Sequence, residues 1–216
     1  MPLTLIASLI AALLAYIAGA TPFGYMAGKF RGIDIRDHGS GNIGATNVIR
    51  VLGKGIGIPV FILDMLKGLV PVVLTRWWCG QNGIVPDWPG IAAAVGAVLG
   101  HNFTFWLGFR GGKGVATSAG IVLALLPLPL AAGVVAWLAV FFISRYVALA
   151  SIASAVVVPG TALFLHFFRG QPGWPLTGFS ILLGLLAIWR HRSNIRRLRD
   201  GTENQFVSKS KRTPIA

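Results

Sequence analysis

The chain has 216 residues, of which 55% are hydrophobic and only 12% are charged, and its Lys and Arg residues outnumber Asp and Glu by 13. Soluble domains have about a quarter of their residues charged, and disordered or nucleic-acid-binding chains do not reach this apolar content. The composition therefore predicts a polytopic membrane protein. A single cysteine, Cys79, excludes an internal disulfide, and four histidines without paired spacing give no reason to expect a metal or another cofactor.

Long intervals without charged residues mark the predicted membrane spans, since a span needs about 20 mostly apolar residues to cross hydrocarbon about 30 Å thick. Such intervals cover residues 1–28, 88–109, 114–144, 146–168 and 170–189, and a further apolar segment covers about 55–75. The first interval ends in small residues, as a signal peptide does, but residues 1–15 contain no Lys or Arg. We therefore expect an uncleaved first span with the N-terminus outside.

The first polar segment, residues 36–50, predicts an anion site. Three glycines within six residues let the backbone approach a ligand closely, and successive N–H groups in such a turn form an anion-binding concavity. Hydroxyl, amide and guanidinium groups add further donors. The candidate phosphate-binding residues are Ser40, Gly41, Asn42, Gly44, Thr46, Asn47 and Arg50. The alternative is a solvated turn, although a connection between two spans does not require this composition.

The second predicted span carries two opposite charges, Asp64 and Lys67, which are three residues apart and therefore share one helix face. Charges in hydrocarbon are costly unless they face the protein interior and pair. We predict a structural ion pair, with a role behind the active site as the alternative. With Asp64 paired, the sequence offers no strong carboxylate candidate for a general base. His101, in the third span, is expected to be buried and hydrogen-bonded.

Residues 109–117 form a second glycine-rich segment, which opens a short helix. Unpaired N–H groups and the helix dipole favour an anion near a helix N-terminus. The candidate residues here are Gly111, Gly112, Lys113, Gly114 and Thr117. The segment is not a Walker A loop, because that motif needs a glycine at the position of Leu107. The alternative is an ordinary positively charged anchor.

The interval 114–144 is long enough for a hairpin of two short helices, and Leu126-Pro127-Leu128-Pro129 lies near its middle. Each helix would have about 14–16 residues and would be shorter than the bilayer is thick. With this hairpin the chain crosses seven times, and 16 of its 19 Lys and Arg residues fall on the cytoplasmic side. We therefore predict an all-α integral membrane fold of seven transmembrane helices with a cytoplasmic C-terminus. Arg145, after the hairpin, is either an anchor or a fourth cation near the anion site.

A third polar cluster begins at residue 190, after the last predicted span. Its five arginines anchor the span and attract anionic headgroups, each contributing about 1 kcal/mol near the surface. His191 and Asn194 share a helix face and could donate hydrogen bonds to a phosphate or an oxyanion, and His191 could also hold a proton near neutral pH. We divide the chain into a single membrane domain, residues 1–200, and a basic cytoplasmic tail, residues 201–216, which we expect to be disordered.

The three clusters together suit two phosphate-bearing ligands on the cytoplasmic side. No cysteine and no Ser-His-Asp order is placed to act as a nucleophile, and the HxxxxD motif of the common glycerolipid acyltransferases is absent. If acyl transfer occurs, the acyl donor must therefore arrive already activated. The competing class is a carrier for an organic phosphate, but a carrier normally needs polar groups in both membrane halves and often an internal repeat.

Four stretches, SGNIGATN (40–47) with Arg50, LDMLKG (63–68), GGKGVAT (111–117) and RHRSNI (190–195), resemble the bacterial acyl-phosphate:glycerol-3-phosphate acyltransferases, the PlsY family. The resemblance spans about residues 10–200. It implies a seven-helix membrane enzyme of phospholipid synthesis that transfers a fatty acyl group from acyl phosphate to the 1-hydroxyl of glycerol 3-phosphate. The products are 1-acyl-glycerol 3-phosphate (lysophosphatidate) and phosphate. Because phosphate is a good leaving group, no covalent acyl-enzyme is required.

On this basis we expect the phosphate of glycerol 3-phosphate to bind Ser40, Arg50 and Lys113, and the acyl-phosphate headgroup to bind the amides of 41–47 and 111–114. The expected catalytic residues are Lys113, His191 and Asn194, and the proton of the attacking hydroxyl passes either to the substrate's own phosphate or to His191. The expected partners are these two substrates and anionic membrane lipids, with no nucleic acid and no obligate protein partner. The expected location is the bacterial inner membrane, with the active site facing the cytoplasm.

Overall fold

The computed structural model describes residues 2–206, which form α-helices and two short 3-10 turns, with no strand in that range. This confirms the all-α prediction. The helices are α1 (Pro2–Ala20), α2 (Phe23–Phe30), α3 (Ala45–Leu52), α4 (Lys54–Gln81), α5 (Asp87–Asn102), α6 (Val115–Leu125), α7 (Pro127–Ser144), α8 (Val147–Arg169), α9 (Trp174–Arg190) and α10 (Arg192–Arg199). The 3-10 turns cover Ile35–Asp37 and Phe105–Leu107. Most of the predicted tail, residues 207–216, lies outside the described residues.

Within the described range, five segments are long and apolar enough to cross a membrane: Pro2–Phe30, Lys54–Gln81, Asp87–Leu107, Pro127–Ser144 and Val147–Arg169. Two further apolar helices, α6 and α9, have 11 and 17 residues. They rise about 16 and 25 Å, less than a hydrocarbon thickness of about 30 Å. Helices lie at the positions of the predicted spans, but only five segments of the described chain are long enough for a full crossing, so the count of seven stays a prediction.

The predicted hairpin at 115–144 is divided unequally. Helix α6 ends at Leu125 and α7 begins at Pro127, so the helices have 11 and 18 residues, where we expected about 14–16 each. Leu126 between them has φ −144° and ψ 62°, outside the helical region. A proline disfavours the helical conformation of the residue before it, so the break falls at the first proline of the stretch.

Small residues let α1 and α5 pack closely against each other. A Cβ added at Gly96 or Gly100 of α5 would collide with the backbone carbonyl oxygen of Ala12 or Tyr16 on α1. Such contacts are typical of membrane helices, which associate through close packing because lipid tails remove the usual hydrophobic driving force. The large side chains of α1, such as Leu9, are exposed on its other face.

The predicted ion pair inside α4 is confirmed. Lys67 Nζ lies 2.8 Å from Asp64 Oδ1, with side chains only 5% and 3% exposed, and it also donates to the carbonyl of Thr21 at 2.7 Å. The pair therefore ties α4 to the link between α1 and α2. One turn away, Gly68 packs against the backbone of Thr117, which holds the first turn of α6 beside α4.

Candidate active site

A cavity of about 450 Å³ joins a polar end to an apolar groove. The polar end lies where the first turns of α3 and α6 meet the corner between α9 and α10, and the groove continues between α6, α7, α8 and α9. Ten of the predicted site residues line this cavity: Ser40, Asn42, Gly44, Thr46, Asn47, Arg50, Lys113, Gly114, His191 and Asn194. The three polar clusters, which are far apart in sequence, are thus brought together.

Two helices begin at the polar end. Gly44 precedes α3 and Gly114 precedes α6, and among the described residues no side chain caps either helix start. The first N–H groups of a helix lack intrahelical acceptors and carry the positive end of the helix dipole. Residues of both first turns line the cavity, including Thr46 and Val115. The backbone alone therefore favours an anion here.

Gly114 can be only glycine in this position. Its φ of +79° is in the left-handed region, and a Cβ would lie 2.8 Å from Asn102 Oδ1. The close approach of the chain to α5 sets the direction in which α6 starts.

Arg50 and Lys113 add two cations to the same end. Both side chains line the cavity, and within residues 2–206 neither forms an ion pair. Burial lowers the pKa of Lys113 to about 8, an effect that Glu203 opposes and the charge of Arg197 reinforces. Burial also lowers the pKa of Arg50. A bound phosphate would provide the counter-charge that both groups lack and would favour their protonated forms.

His191 presents a hydrogen-bond acceptor to the cavity. Its Nδ1 lies 2.8 Å from the carbonyl oxygen of Ala187, which can only accept, so Nδ1 carries the hydrogen and Nε2 is left with a lone pair. Burial lowers the pKa of His191 to about 4, although the hydrogen bond to Ala187 partly opposes the shift. The ring is therefore neutral at neutral pH.

Asn194 is oriented by a neighbouring carboxylate. Its Nδ2 donates to Glu203 Oε1 at 2.9 Å, and because a carboxylate only accepts, this contact fixes the orientation of the amide. Oδ1 is buried and has no donor among the described residues. The structure thus differs from the expectation that His191 and Asn194 donate to a phosphate. The free Nε2 of His191 suits a ligand hydroxyl instead, whereas Asn194 Oδ1 has almost no accessible surface.

Glu203 is the residue that sequence reasoning missed. It lines the cavity, its side chain is 7% exposed, and Arg197 Nε lies 2.7 Å from its Oε2. Glu203 is therefore a carboxylate at the site, but it is already paired with Arg197 and Asn194 and does not offer a free general base. As the only acidic residue after Asp200 in a basic tail, it could have been found by its charge.

The described part of the predicted tail, residues 201–206, runs back along the site. Asn204 and Phe206 line the cavity. The backbone N–H of Phe206 donates to the carbonyl of Arg145 at 2.9 Å, and its ring lies edge-on to Phe141 on α7 with centroids 6.0 Å apart. This short segment therefore bridges α10 and the turn between α7 and α8.

Five predicted binding residues do not line the cavity: Gly41, Gly111, Gly112, Thr117 and Arg145. Arg145 is exposed, and its guanidinium lies 6.0 Å from the ring centroid of Phe142, so of the two roles expected for it, a cation at the anion site is not observed. Thr117 is fully buried at the contact with α4. Gly111 and Gly112 donate their N–H groups to the carbonyls of Asn102 and His101, each at 3.1 Å.

Asn47 and Asn42 line the cavity but use their side chains to shape the first polar segment. Asn47 accepts from the N–H of Ser40 at 2.8 Å and donates to the carbonyls of Ile35 and His38. Asn42 accepts from the N–H of Gly44 at 2.8 Å. These two side-chain amides hold the segment in position. Only the groups of the segment that the amides do not bond are free to bind a ligand.

His101 is buried, as expected, but the expected hydrogen bond is absent. Its Nδ1 lies 3.8 Å from Asp64 Oδ1 and has no hydrogen-bond partner among the described residues. Both residues line the cavity. The ion pair of α4 therefore also stands behind the polar end, in agreement with the alternative role considered for it.

The apolar groove is walled by four helices. Its side chains include Val122 of α6, Leu130, Val134, Trp137 and Phe141 of α7, Val158 and Pro159 of α8, and Leu183 of α9. From residue 147 to residue 159 the wall formed by α8 rises about 18 Å. A groove of this length and polarity is suited to an extended hydrocarbon chain whose anionic head lies at the polar end.

The fold and the site together define a multi-pass membrane protein whose cavity joins a cationic polar end to an apolar groove. A family model described as glycerol-3-phosphate acyltransferase matches residues 9–201. The chain belongs to this family and is an acyltransferase of phospholipid synthesis.

Curated relatives and solved structures agree with this assignment. The chain is 46% identical to a glycerol-3-phosphate acyltransferase of Thermosynechococcus vestitus, with 89% of this chain and 92% of the relative covered. It is 44% identical to the enzyme of Geobacter sulfurreducens, with 92% and 97% covered. A crystal structure of PlsY (YgiH), an integral membrane glycerol 3-phosphate acyltransferase, in its glycerol 3-phosphate form superposes with a TM-score of 0.83 at 40% identity, covering 93% and 96%. The lysophosphatidic acid form gives 0.78 at 41% identity, covering 93% and 95%.

Proposed function

We propose that the protein transfers a fatty acyl group from acyl phosphate to the 1-hydroxyl of glycerol 3-phosphate, forming 1-acyl-glycerol 3-phosphate and phosphate. The continuity of the cavity carries the proposal, because it joins two unpaired cations and two helix N-termini to an apolar groove. Such a site suits one substrate that is wholly polar and another that has a polar head and a hydrocarbon tail. The similarity to PlsY, solved in a glycerol 3-phosphate form and a lysophosphatidic acid form, supports the same substrate and product here.

We assign the phosphate of glycerol 3-phosphate to Ser40, Arg50 and Lys113. Arg50 provides a planar fork of donors and Lys113 a point charge, and both are without an ion-pair partner in the described chain. The acyl-phosphate headgroup is assigned to the first N–H groups of α3 and α6, with its chain in the groove. The free acceptor of His191 is then available to a glycerol hydroxyl.

The chemical step needs no enzyme nucleophile. The C1 oxygen forms a bond to the acyl carbonyl carbon, and the bond from that carbon to the phosphate oxygen breaks, so the leaving phosphate takes the electron pair. The hydroxyl proton passes to a phosphate oxygen of the substrate. Positioning of the two substrates and stabilisation of developing negative charge by the cations and helix N-termini contribute most of the catalysis.

His191 is the alternative proton acceptor. Its Nε2 lone pair has the right character, but a pKa near 4 makes it a weak base at neutral pH. We therefore assign His191 to orienting the attacking hydroxyl through a hydrogen bond.

We further propose a single membrane domain, residues 1–200, with seven membrane helices, the N-terminus outside and the C-terminus cytoplasmic. The two short helices α6 and α9 would start or end below the membrane surface and bring the polar end of the cavity toward the cytoplasmic leaflet. In a bacterial inner membrane this geometry gives the soluble substrate access from the cytoplasm. The exposed arginines of α10, such as Arg192 and Arg196, would contact anionic headgroups.

The direct test uses the purified protein with acyl phosphate and glycerol 3-phosphate. We expect phosphate release and 1-acyl-glycerol 3-phosphate formation to be stoichiometric and to require both substrates. If neither product forms, and protein in vesicles instead accumulates the phosphate ester inside them, the carrier is the correct class.

A further inference from the structure

We propose that Arg190 is a positioning residue that holds the backbone of residues 111–113 so that Lys113 and the first turn of α6 face the substrate phosphate. This inference deepens the proposed function and rests on it. From the sequence, Arg190 is one of five arginines that anchor the last span. The structure separates it from its neighbours, because its side chain turns back into the protein.

The guanidinium of Arg190 contacts two consecutive carbonyls. Nε donates to the carbonyl of Gly112 at 3.1 Å, and Nη2 donates to Gly112 at 2.6 Å and to Gly111 at 3.0 Å. Cζ of Arg190 also lies 5.3 Å from the ring centroid of Phe103, and this cation–π contact helps to hold the guanidinium in place. Arg190 is not among the residues that line the cavity, and its Nε and Nη2 are already occupied by these carbonyls.

These contacts determine where the neighbouring N–H groups point. In a trans peptide the C=O and the following N–H point in opposite directions. The carbonyl of Gly112 points at Arg190, so the N–H of Lys113 points away from it, and this N–H has no acceptor among the described residues. The N–H groups of Gly111 and Gly112 are already bonded to α5. The backbone N–H of Lys113 is therefore a free donor of this loop.

His101 also supports the loop. Its carbonyl accepts the N–H of Gly112 at 3.1 Å, and a Cβ at Gly112 would collide with its Nε2.

Arginine is required because one planar fork must reach two adjacent carbonyls. A lysine at this position keeps the positive charge but offers a single point of donation. R190K therefore separates geometry from charge. Arg196 provides a matched control, because it is exposed and has no side-chain hydrogen bond or ion pair within residues 2–206.

The experiment compares wild type, R190K, R190A and R196Q in detergent, with the dissociation constant of glycerol 3-phosphate measured by calorimetry and acyl transfer measured separately. Since lysine cannot hold both carbonyls, we expect KM and Kd for glycerol 3-phosphate to rise about tenfold or more in R190K. Kcat at saturation should change much less, and R196Q should match wild type. Added guanidinium should restore part of the affinity of R190A, and methylammonium should not.

Wild-type affinity in R190K, or a loss of kcat without a change in Kd, would overturn the proposal. The proposal would also be overturned if R190A melted like wild type but its affinity for glycerol 3-phosphate did not increase with guanidinium. Failure of both R190 variants to fold would overturn it as well. Wild type that binds glycerol 3-phosphate but transfers no acyl group would instead contradict the proposed function, while the Kd of R190K would still decide the role of Arg190.

Discussion

Asn194 donates its side-chain amide to Glu203 at 2.9 Å, so this carboxylate decides which end of the amide faces the cavity. Glutamine at position 203 could bond Asn194 through either of its own terminal atoms and would lose the ion pair with Arg197. We therefore expect Glu203→Gln to lower kcat/KM about tenfold, in line with about 1.5–3 kcal/mol for a charge-assisted hydrogen bond. Steady-state kinetics with a parallel thermal melt would measure it. Asp200→Asn is the control, because Asp200 is exposed and unpaired in the described chain.

The pKa of Lys113, lowered to about 8 by burial, predicts a pH effect on substrate capture. As the pH rises through about 8, the ammonium loses its proton and its attraction for phosphate, so kcat/KM for glycerol 3-phosphate should fall above that pH. Lys113→Arg should retain its charge and shift the fall to higher pH, whereas Lys113→Ala should lose turnover while remaining folded. An identical pH profile in the wild type and the arginine variant would contradict this assignment.

His191 should remain neutral down to about pH 5, because burial lowers its pKa to about 4. Nuclear magnetic resonance of imidazole nitrogens, assigned by comparison with His191→Gln, would give both the titration and the tautomer. We expect a hydrogen on Nδ1 throughout the neutral range, as the Ala187 contact requires. A doubly protonated ring at pH 7 would show that His191 is not the acceptor proposed here.

Two adjacent residues of α7 offer a test of the groove. Val134 lines the cavity, whereas Val135 is 67% exposed and does not. Val134→Trp should lower turnover of long-chain acyl phosphates and affect short-chain donors less, because the larger side chain would occupy part of the groove. Val135→Trp should leave both donors unchanged. Equal losses for all chain lengths in Val134→Trp would argue that the chain lies elsewhere.

The proposed orientation can be measured with introduced cysteines, because the only native cysteine, Cys79, is buried. In a Cys79→Ala background, an impermeant maleimide should label Asn82→Cys from the outer face of the membrane and Ser193→Cys only from the cytoplasmic face. Both native residues are exposed. Labelling with the opposite sidedness would invert the assigned topology.

The helices and the polar segments could be predicted from the sequence because both signals are local. Charge-free intervals and the apolar segment 55–75 located the long apolar helices, and the glycine-rich stretches around Asn42 and Lys113 indicated the polar end of the cavity. The length of α6 was predicted wrongly. The helix breaks at Leu126, before the first of the two prolines in this stretch, and the sequence does not show which proline ends the helix.

The contacts that orient the site could not be predicted, since they depend on residues brought together only by folding. Arg190 is 78 residues from Gly112 in sequence and looks like any other arginine at the end of a span. The donor or acceptor character of Asn194 depends on Glu203, which lies in a segment whose composition indicated only a tail.

The groove between α6 and α9 has a consequence for how a substrate binds. Of the 18 residues of α7, only Pro129 and Gly133 are buried, so the outer wall of the groove belongs to a helix with little protein around it. An apolar channel of this kind within a bilayer fills with lipid tails, which are as apolar as its leucines. An arriving acyl chain therefore exchanges places with another tail and gains little from leaving the membrane. For the proposed acyl-phosphate donor, the phosphate contacts would then set the affinity more than the length of the hydrocarbon.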